Sequence, residues 1–165
     1  MTIICAKAWK FGNDIDTDII IPARHLVLPI EEMKFYAMAP IDSKFARKVK
    51  KGDVIVAGKN FGCGSSREQA PMILKALGLK AIIATSFARI FFRNAINLGL
   101  LVIECDRLHD HINGGDMVEI DLSLSQISLP HEQMKFSGSK LPDFMLKILY
   151  AGGLIPYLSI KEDRS

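Results

Sequence analysis

A glycine-rich loop is the part of this 165-residue sequence best suited to chemistry. Residues 58–66 read GKNFGCGSS, and Arg67 follows directly. An apolar run at 54–57 precedes the loop and a helical pattern at 67–77 follows it, so the loop leads from a strand to a helix N-terminus. Backbone N–H groups, the helix dipole and a guanidinium all favour a carboxylate or phosphate at such a point. The loop is therefore a candidate anion site.

The same residues also have a simpler interpretation as a helix cap. Ser65 or Ser66 would then accept a hydrogen bond from a free helix N–H group, and the glycines would only permit a tight turn. The residues alone leave both interpretations open. Two nucleotide motifs are excluded, because Asn60 follows Gly58-Lys59 where a P-loop needs Ser or Thr, and Arg67 stands where a dinucleotide fingerprint needs Gly or Ala.

The cysteines and histidines do not predict a metal site within this chain. Cys5, Cys63 and Cys105 are tens of residues apart with no CxxC pair, and the four histidines lack the spacing of a ligand cluster. Any metal must therefore be held by another chain. No histidine is near Cys63 in sequence, so we expect this thiol to pack within the loop rather than to act as a nucleophile.

Two further charged patterns do not predict a site either. Asp14 opens an acidic stretch that resembles a calcium loop, but Ile19 and His25 stand where an EF-hand requires glycine and glutamate. Arg89 and Arg93 are four residues apart on one helical face. We expect this pair to be structural, bonding the loop or a neighbouring acid, and assign it no catalytic role.

The composition is that of a compact globular protein, with 49% hydrophobic and 24% charged residues. Its 21 basic and 18 acidic side chains are interspersed, so no nucleic-acid footprint is indicated. The uncharged run from Met1 to Ala6 is too short for a secretory signal or a membrane span. We therefore expect a single domain at 1–165, located in the cytoplasm.

The middle of the sequence alternates between strand and helix patterns, which predicts an α/β fold with parallel strands and right-handed crossovers. Ser86 is the predicted N-cap of the second helix and Gly99 its end. The expected elements are strands at 53–58, 80–84 and 100–103, and helices at 67–77 and 86–97.

Outside this region we expect a first strand, an antiparallel β section and a closing helix. The expected elements are strands at 3–9, at 19–21 before Pro22, at 117–122 and at 126–129, helices at 29–37 and 142–151, and a frayed tail from Lys161 to Ser165.

Three segments together resemble one known family. Residues 58–70 (GKNFGCGSSREQA), 86–94 (SFARIFFRN) and 16–22 (DTDIIIP) closely resemble the small subunit of 3-isopropylmalate dehydratase, in the aconitase superfamily. The resemblance covers most of the chain through Ile103. It implies a three-layer β/β/α fold of the swivelling-domain type, a mixed sheet, and a partner large subunit that carries a [4Fe-4S] cluster.

The resemblance also implies roles for residues of the loop. Ser65 corresponds to the catalytic base, a deprotonated hydroxyl that removes the carbon-bound proton beside a carboxylate, and Arg67 holds a substrate carboxylate. Ser66 and Gly64 complete the binding loop. Thr17 and Asp18 shape the edge of the same site.

The resemblance also implies that a second segment determines which substrate is accepted. Arg24, Leu26 and Val27 follow the acidic loop, and in relatives that act on tricarboxylates an arginine at this place is available to the extra carboxylate. This chain has Val27, against which an isopropyl group can lie, whereas a carboxylate there would lose water without gaining a cation. The segment thus favours isopropylmalate, although Arg24 is close enough to broaden the range. Packing of the aliphatic residues within the loop is the competing interpretation.

Three other functions compete with isomerisation of 2- and 3-isopropylmalate in leucine biosynthesis. One is a homoaconitase or another hydro-lyase subunit that acts on tricarboxylates or methylmalate. A second is a protein that only binds a carboxylate metabolite. RNA binding, known for some aconitase relatives, has no basic and aromatic patch in this sequence.

Overall fold

One mixed sheet of seven strands organises the computed structural model, which describes residues 3–164. Its spatial order is β4-β3-β2-β1-β5-β6-β7. Strands β1 to β4 are parallel, and β5, β6 and β7 each run antiparallel to their neighbours. The strands are β1 (Ile3–Lys10), β2 (Val54–Ala57), β3 (Ala81–Ala84), β4 (Leu101–Glu104), β5 (Met117–Asp121), β6 (Gln126–Leu129) and β7 (Met134–Ser137).

Eight α-helices occupy the connections and the C-terminal region of residues 3–164, with short 3-10 turns at 23–25 and 34–36. No single helix in this range is long and apolar enough to cross a membrane; α7 and α8 reach that length and composition only together, across a 91° bend. The helices are α1 (Thr17–Ile20), α2 (Ile30–Met33), α3 (Phe45–Lys48), α4 (Gln69–Ala76), α5 (Arg89–Asn97), α6 (Leu108–His111), α7 (Asp143–Ala151) and α8 (Leu154–Asp163).

Strand β1 joins the parallel and antiparallel parts of the sheet. Residues 3–7 pair with β5, whereas residues 8–10 pair with β2. Val54 and Val56 of β2 share one core with residues of β5, β6 and β7, and Ile55 and Ala57 share the other core with α4 and α5. Because successive side chains of a strand point to opposite faces, the parallel part is the middle layer. The predicted three-layer β/β/α architecture is confirmed.

The strand expected at 19–21 is wrong. These residues follow Asp16, whose carboxylate Oδ1 accepts a hydrogen bond from Ile19 N at 2.8 Å and caps the single-turn helix α1. A side-chain cap supplies a partner for a helix N–H group, and that local bond outweighs the strand preference of three isoleucines. The turn ends at Ile20, and Ile21 is its C-cap with extended backbone, the conformation that a following proline favours.

Two predictions near helix ends are also wrong. Ser86 does not cap α5, whose N-cap is Ala88; the Ser86 hydroxyl instead accepts a hydrogen bond from Asn60 N at 2.9 Å. Residues 161–163 belong to α8 rather than to a frayed tail, since Leu154 and Tyr157 pack that helix against the helical core. Ser165 lies outside the described residues.

Candidate active site

The glycine-rich loop between β2 and α4 is fastened to the segment that begins α5. Phe61 N donates to Ser86 O at 3.0 Å, and Ala88 N donates to Phe61 O at 2.9 Å. The Phe61 side chain is fully buried, and its ring meets that of Phe91 edge-on with centroids 5.2 Å apart. These contacts place the loop beside the first turn of α5, a neighbour that the local sequence pattern does not reveal.

Two glycines of the loop adopt left-handed backbone conformations for different reasons. Gly62 has φ +83°, and a Cβ atom there would lie 2.2 Å from Cγ of Phe91. Gly64 has φ +90°, but its Cβ would meet Thr17 Oγ1 at an ordinary 3.5 Å. Close packing against α5 therefore requires glycine at position 62, whereas only the backbone conformation favours it at position 64.

Gly62→Ala should lower the free energy of unfolding by about 3 kcal/mol, because it adds a core clash to the left-handed strain. Gly64→Ala is the matched control, since it adds the same strain without the clash and should cost about 1–2 kcal/mol. Chemical denaturation of both variants beside the wild-type chain measures the difference. Equal losses would show that the contact with Phe91 does not set the position of the loop.

The acidic loop before α1 lies against the glycine-rich loop through a series of backbone contacts. Gly62 N donates to Ile15 O at 2.8 Å, and Thr17 N donates to Cys63 O at 2.9 Å. The buried Thr17 also donates from Oγ1 to Ser65 O at 2.8 Å. Thr17 thus holds the backbone of the candidate base from one side.

Arg67 is anchored within the chain before any ligand arrives. Its side chain is only 14% exposed, and Nη1 donates to Ile21 O at 2.9 Å. The same nitrogen lies 2.5 Å from Oδ1 of Asp18, whose side chain is 65% exposed. The guanidinium is therefore held in one orientation, with donors on its other nitrogens left for a carboxylate.

The hydroxyls of Ser65 and Ser66 are exposed and make no hydrogen bond to another of residues 3–164. The capping interpretation is wrong, because α4 begins only at Gln69 and its N-cap residue Glu68 makes no side-chain cap. Within the described chain, the backbone N–H groups of residues 64–67 also have no partner. Free donors and free hydroxyls at one turn are what an anion site requires.

A cleft of about 230 Å³ opens at these residues. One wall is the loop and the other is the first turn of α5, whose N–H groups have no intrahelical partner. The lining residues are Thr17, Gly62, Gly64, Ser65, Ser66, Arg67, Ala88, Arg89, Ile90, Phe91 and Asn94. Of the residues predicted for the site, Ser65, Ser66, Gly64, Arg67 and Thr17 therefore lie together, and Asp18 joins them through Arg67.

The predicted specificity segment does not line this cleft. Val27 is 89% exposed and Arg24 is exposed, whereas Leu26 is half-buried against the helical core. Next to them, His25 stacks on Tyr36 with ring centroids 3.8 Å apart. Packing thus accounts for Leu26 but not for Val27, whose side chain faces solvent.

Arg89 is a cleft residue to which the sequence analysis gave no role. Both Arg89 and Arg93 are exposed, and neither side chain bonds to the loop, to an acid or to any other of residues 3–164, so the structural role expected for the pair is wrong. The reason is that α5 directs its first turn into the cleft while its outer face meets solvent. Pairing of the loop with Ser86 places that turn, and no local spacing encodes it.

The three thiols, of Cys5, Cys63 and Cys105, are free. Burial, with smaller contributions from the carboxylates of Asp16 and Asp14, raises the pKa of the Cys63 thiol, and burial raises that of Cys105 to about 11. Both are therefore poor nucleophiles at neutral pH. No three His, Cys, Asp or Glu side chains converge within residues 3–164, so the part of the chain that is described does not fit an iron–sulfur cluster.

Comparison with known proteins places the chain in a family. Residues 30–108 match the aconitase C-terminal domain. The chain is 52% identical over 165 residues to the isopropylmalate/citramalate isomerase small subunit of Methanocaldococcus jannaschii, covering 99% of this chain and 98% of the relative. It is also 52% identical over 150 residues to the 3-isopropylmalate dehydratase small subunit of Lachnospira eligens, covering 90% of each chain. The chain belongs to the family of 3-isopropylmalate dehydratase small subunits.

A solved structure supports the family at the level of the fold. The crystal structure of 3-isopropylmalate dehydratase from Methanocaldococcus jannaschii superposes with a TM-score of 0.92 at 49% identity, over 98% of this chain and 96% of that one. The curled mixed sheet with its helical layer is thus the architecture of the 3-isopropylmalate dehydratase family.

Proposed function

We propose that this chain is the small subunit of a heteromeric hydro-lyase that isomerises 2- and 3-isopropylmalate by dehydration and rehydration, in leucine biosynthesis. The observation that carries the proposal is the cleft in which the free hydroxyl of Ser65 and the anchored guanidinium of Arg67 lie two residues apart on one loop. Relatives that share about half of the sequence along nearly its whole length bear the name of this enzyme. Residues 1–165 act as one swivelling domain in the cytoplasm.

Within this proposal the chain's own residues bind one end of the substrate and move one proton. Arg67 donates to a substrate carboxylate, and Ser65 as an alkoxide removes the proton from the carbon beside it. A serine hydroxyl stays protonated at neutral pH, and so cannot act as a base, unless its surroundings stabilise the alkoxide and lower the pKa of the hydroxyl. The unpartnered N–H groups of residues 64–67 and the nearby guanidinium supply that stabilisation.

The iron–sulfur cluster belongs to the large subunit in this proposal. Cys5 is exposed on β1, Cys63 lies in the loop and Cys105 is buried, so residues 3–164 offer no set of thiolates for a cluster. Ser65 and Ser66 are exposed, and so is Ile90 with 56% of its surface. An active site assembled between two chains needs such an open side, and the large subunit covers it.

The test is co-expression with candidate large subunits, anaerobic reconstitution of the cluster, and assays with isopropylmalate, homocitrate-derived and citrate-derived substrates. The reconstituted complex should turn over isopropylmalate, and this chain alone should be inactive. Crosslinks between the subunits should map to the face around Ser65. A complex that binds the substrate without turnover would instead identify a carboxylate-binding protein.

A second candidate substrate follows from one relative. The small subunit from Methanocaldococcus jannaschii is named for both isopropylmalate and citramalate. We propose citramalate as the alternative substrate of this chain, because that relative is 52% identical along nearly the whole of both chains. Measuring the turnover of isopropylmalate and of citramalate by one complex shows whether the enzyme accepts one of these substrates or both.

Val27→Arg tests the proposed specificity segment. The added cation should raise kcat/KM for homoaconitate-type substrates about tenfold and lower it for isopropylmalate by a similar factor, since one charge-assisted hydrogen bond is worth about 1.5–3 kcal/mol. Position 27 is exposed, so the variant should fold normally. Val27→Leu is the control for size without charge. An unchanged preference in Val27→Arg would show that another segment selects the substrate.

A further inference from the structure

Arg89 is a cation on the cleft wall that has no partner in the described chain. It is the first residue of α5, its side chain is exposed, and it lines the same cleft as Ser65 and Arg67. Its side chain makes no hydrogen bond or ion pair with any other of residues 3–164. Arg93 lies one turn further along α5, is equally free and exposed, and does not line the cleft.

The other cation of the cleft is already engaged. Nη1 of Arg67 is shared between Ile21 O and the carboxylate of Asp18, which leaves this guanidinium able to bind one further carboxylate. The proposed substrate has two carboxylates. A second carboxylate that enters the cleft loses water and requires a cation or several donors in return.

We propose that Arg89 binds the second carboxylate of the substrate and so makes the site selective for dicarboxylates over monocarboxylates. The inference rests on the proposed function, because it needs a substrate with two anionic ends. Arg67 belongs to the loop wall and Arg89 to the α5 wall of the cleft that Ser65 also lines, so a short dicarboxylate that bridges the two guanidinium groups would lie beside Ser65. The guanidinium of Arg89 binds the carboxylate at two points, as its geometry favours.

Arg89 also borders a neighbouring hollow that contains Glu104 and Lys140. No ion pair joins Arg89 to Glu104 in the described chain. Glu104→Gln therefore serves as the control for a purely structural role. If Arg89 acted by pairing with this carboxylate, Glu104→Gln would reproduce the effects of Arg89→Gln.

The experiment compares Arg89→Gln, Arg89→Lys and the matched control Arg93→Gln in the reconstituted complex. The probes are 2-isopropylsuccinate, which lacks only the hydroxyl of isopropylmalate, and its two monoamides. Their dissociation constants are measured by calorimetry, which does not depend on turnover. The wild-type complex should bind the dicarboxylate about 10–100-fold more tightly than either monoamide, as expected for one lost charge-assisted contact.

In Arg89→Gln, the preference for the dicarboxylate over one monoamide should disappear while the preference over the other remains. KM for isopropylmalate should rise about 10–100-fold with a smaller change in kcat, and Arg89→Lys should fall between this variant and the wild type. Arg93→Gln and Glu104→Gln should keep both preferences and the wild-type KM. The affinity between the subunits should be unchanged in every variant.

Three results would overturn the inference. The first is that Arg89→Gln keeps both preferences, and the second is that Arg93→Gln loses one as well. The third is that Arg89→Gln weakens only the association of the subunits, which would make Arg89 a partner contact. A wild-type complex that binds the dicarboxylate but does not turn over isopropylmalate would contradict the proposed function alone. The calorimetric comparison then still decides the role of Arg89.

Discussion

Ser65→Ala should lower kcat of the reconstituted complex by about 10²–10⁴-fold, the usual cost of removing a general base. The hydroxyl makes no hydrogen bond within residues 3–164 and is exposed, so its loss removes no packing. Ser65 O, which accepts from Thr17 Oγ1, stays in place because it belongs to the backbone. The effect should therefore fall on the chemical step, with the fold and the subunit complex intact.

Two other serine variants show whether this loss is specific. Ser159→Ala removes a hydroxyl on α8 whose one partner within residues 3–164 is Ile155 O, and it should leave turnover unchanged. Ser66→Ala should lower activity less than Ser65→Ala, since its hydroxyl assists binding without taking the proton. Steady-state kinetics with circular dichroism and a subunit-association assay provide the measurements. Near wild-type turnover of Ser65→Ala would mean that another group removes the proton.

Much of the fold could be predicted because its central strands are recognisable from their own residues. Four-residue apolar runs such as Val54–Ala57 are buried on both faces in the structure, as parallel strands between two layers must be. The glycine-rich loop could be found in the same way, since its composition departs from that of ordinary connections. Such features depend on residues close together in sequence.

The errors arise where a distant contact or a single side chain outweighs the local pattern. Asp16 changes Ile19 and Ile20 from a strand to a helical turn through one hydrogen bond. Serine is a common N-cap residue, but the hydroxyl of Ser86 instead accepts a hydrogen bond from the backbone N–H of Asn60, 26 residues away. Local propensity cannot reveal either outcome, because the deciding partner is set by the tertiary structure.

In the site, too, the residues of the loop could be predicted, whereas the distant residues that hold them in place could not. Ser65 and Arg67 could be recognised within one short segment, whereas the carbonyl that anchors Arg67 belongs to Ile21, 46 residues earlier. The role of Arg89 was missed because an arginine at a helix start has no distinctive spacing. Long-range contacts, such as the hydrogen bonds between Phe61 and the segment before α5, bring that residue to the cleft.

Arg67→Lys should lower kcat/KM for isopropylmalate about a hundredfold or more, although it keeps the positive charge. An ammonium group is a single point of charge and cannot bond to Ile21 O and to a substrate carboxylate with the planar geometry of a guanidinium. Loss of one charged hydrogen bond costs about 1.5–3 kcal/mol, and a misplaced carboxylate moves the reacting carbon away from Ser65. The loss should appear in KM and in kcat together.

The hydrogen bond that anchors Arg67 to Ile21 O should also contribute to the free energy of unfolding. Ile21 is fully buried, so a lysine that leaves its carbonyl without a partner should lower the free energy of unfolding by about 1–3 kcal/mol. Asp18→Asn separates the two contacts, because it removes the exposed ion pair but keeps the bond to Ile21 O, and it should cost less than about 1 kcal/mol. If Arg67→Lys were as stable as Asp18→Asn and retained wild-type kcat/KM, Arg67 would neither organise the loop nor bind the substrate.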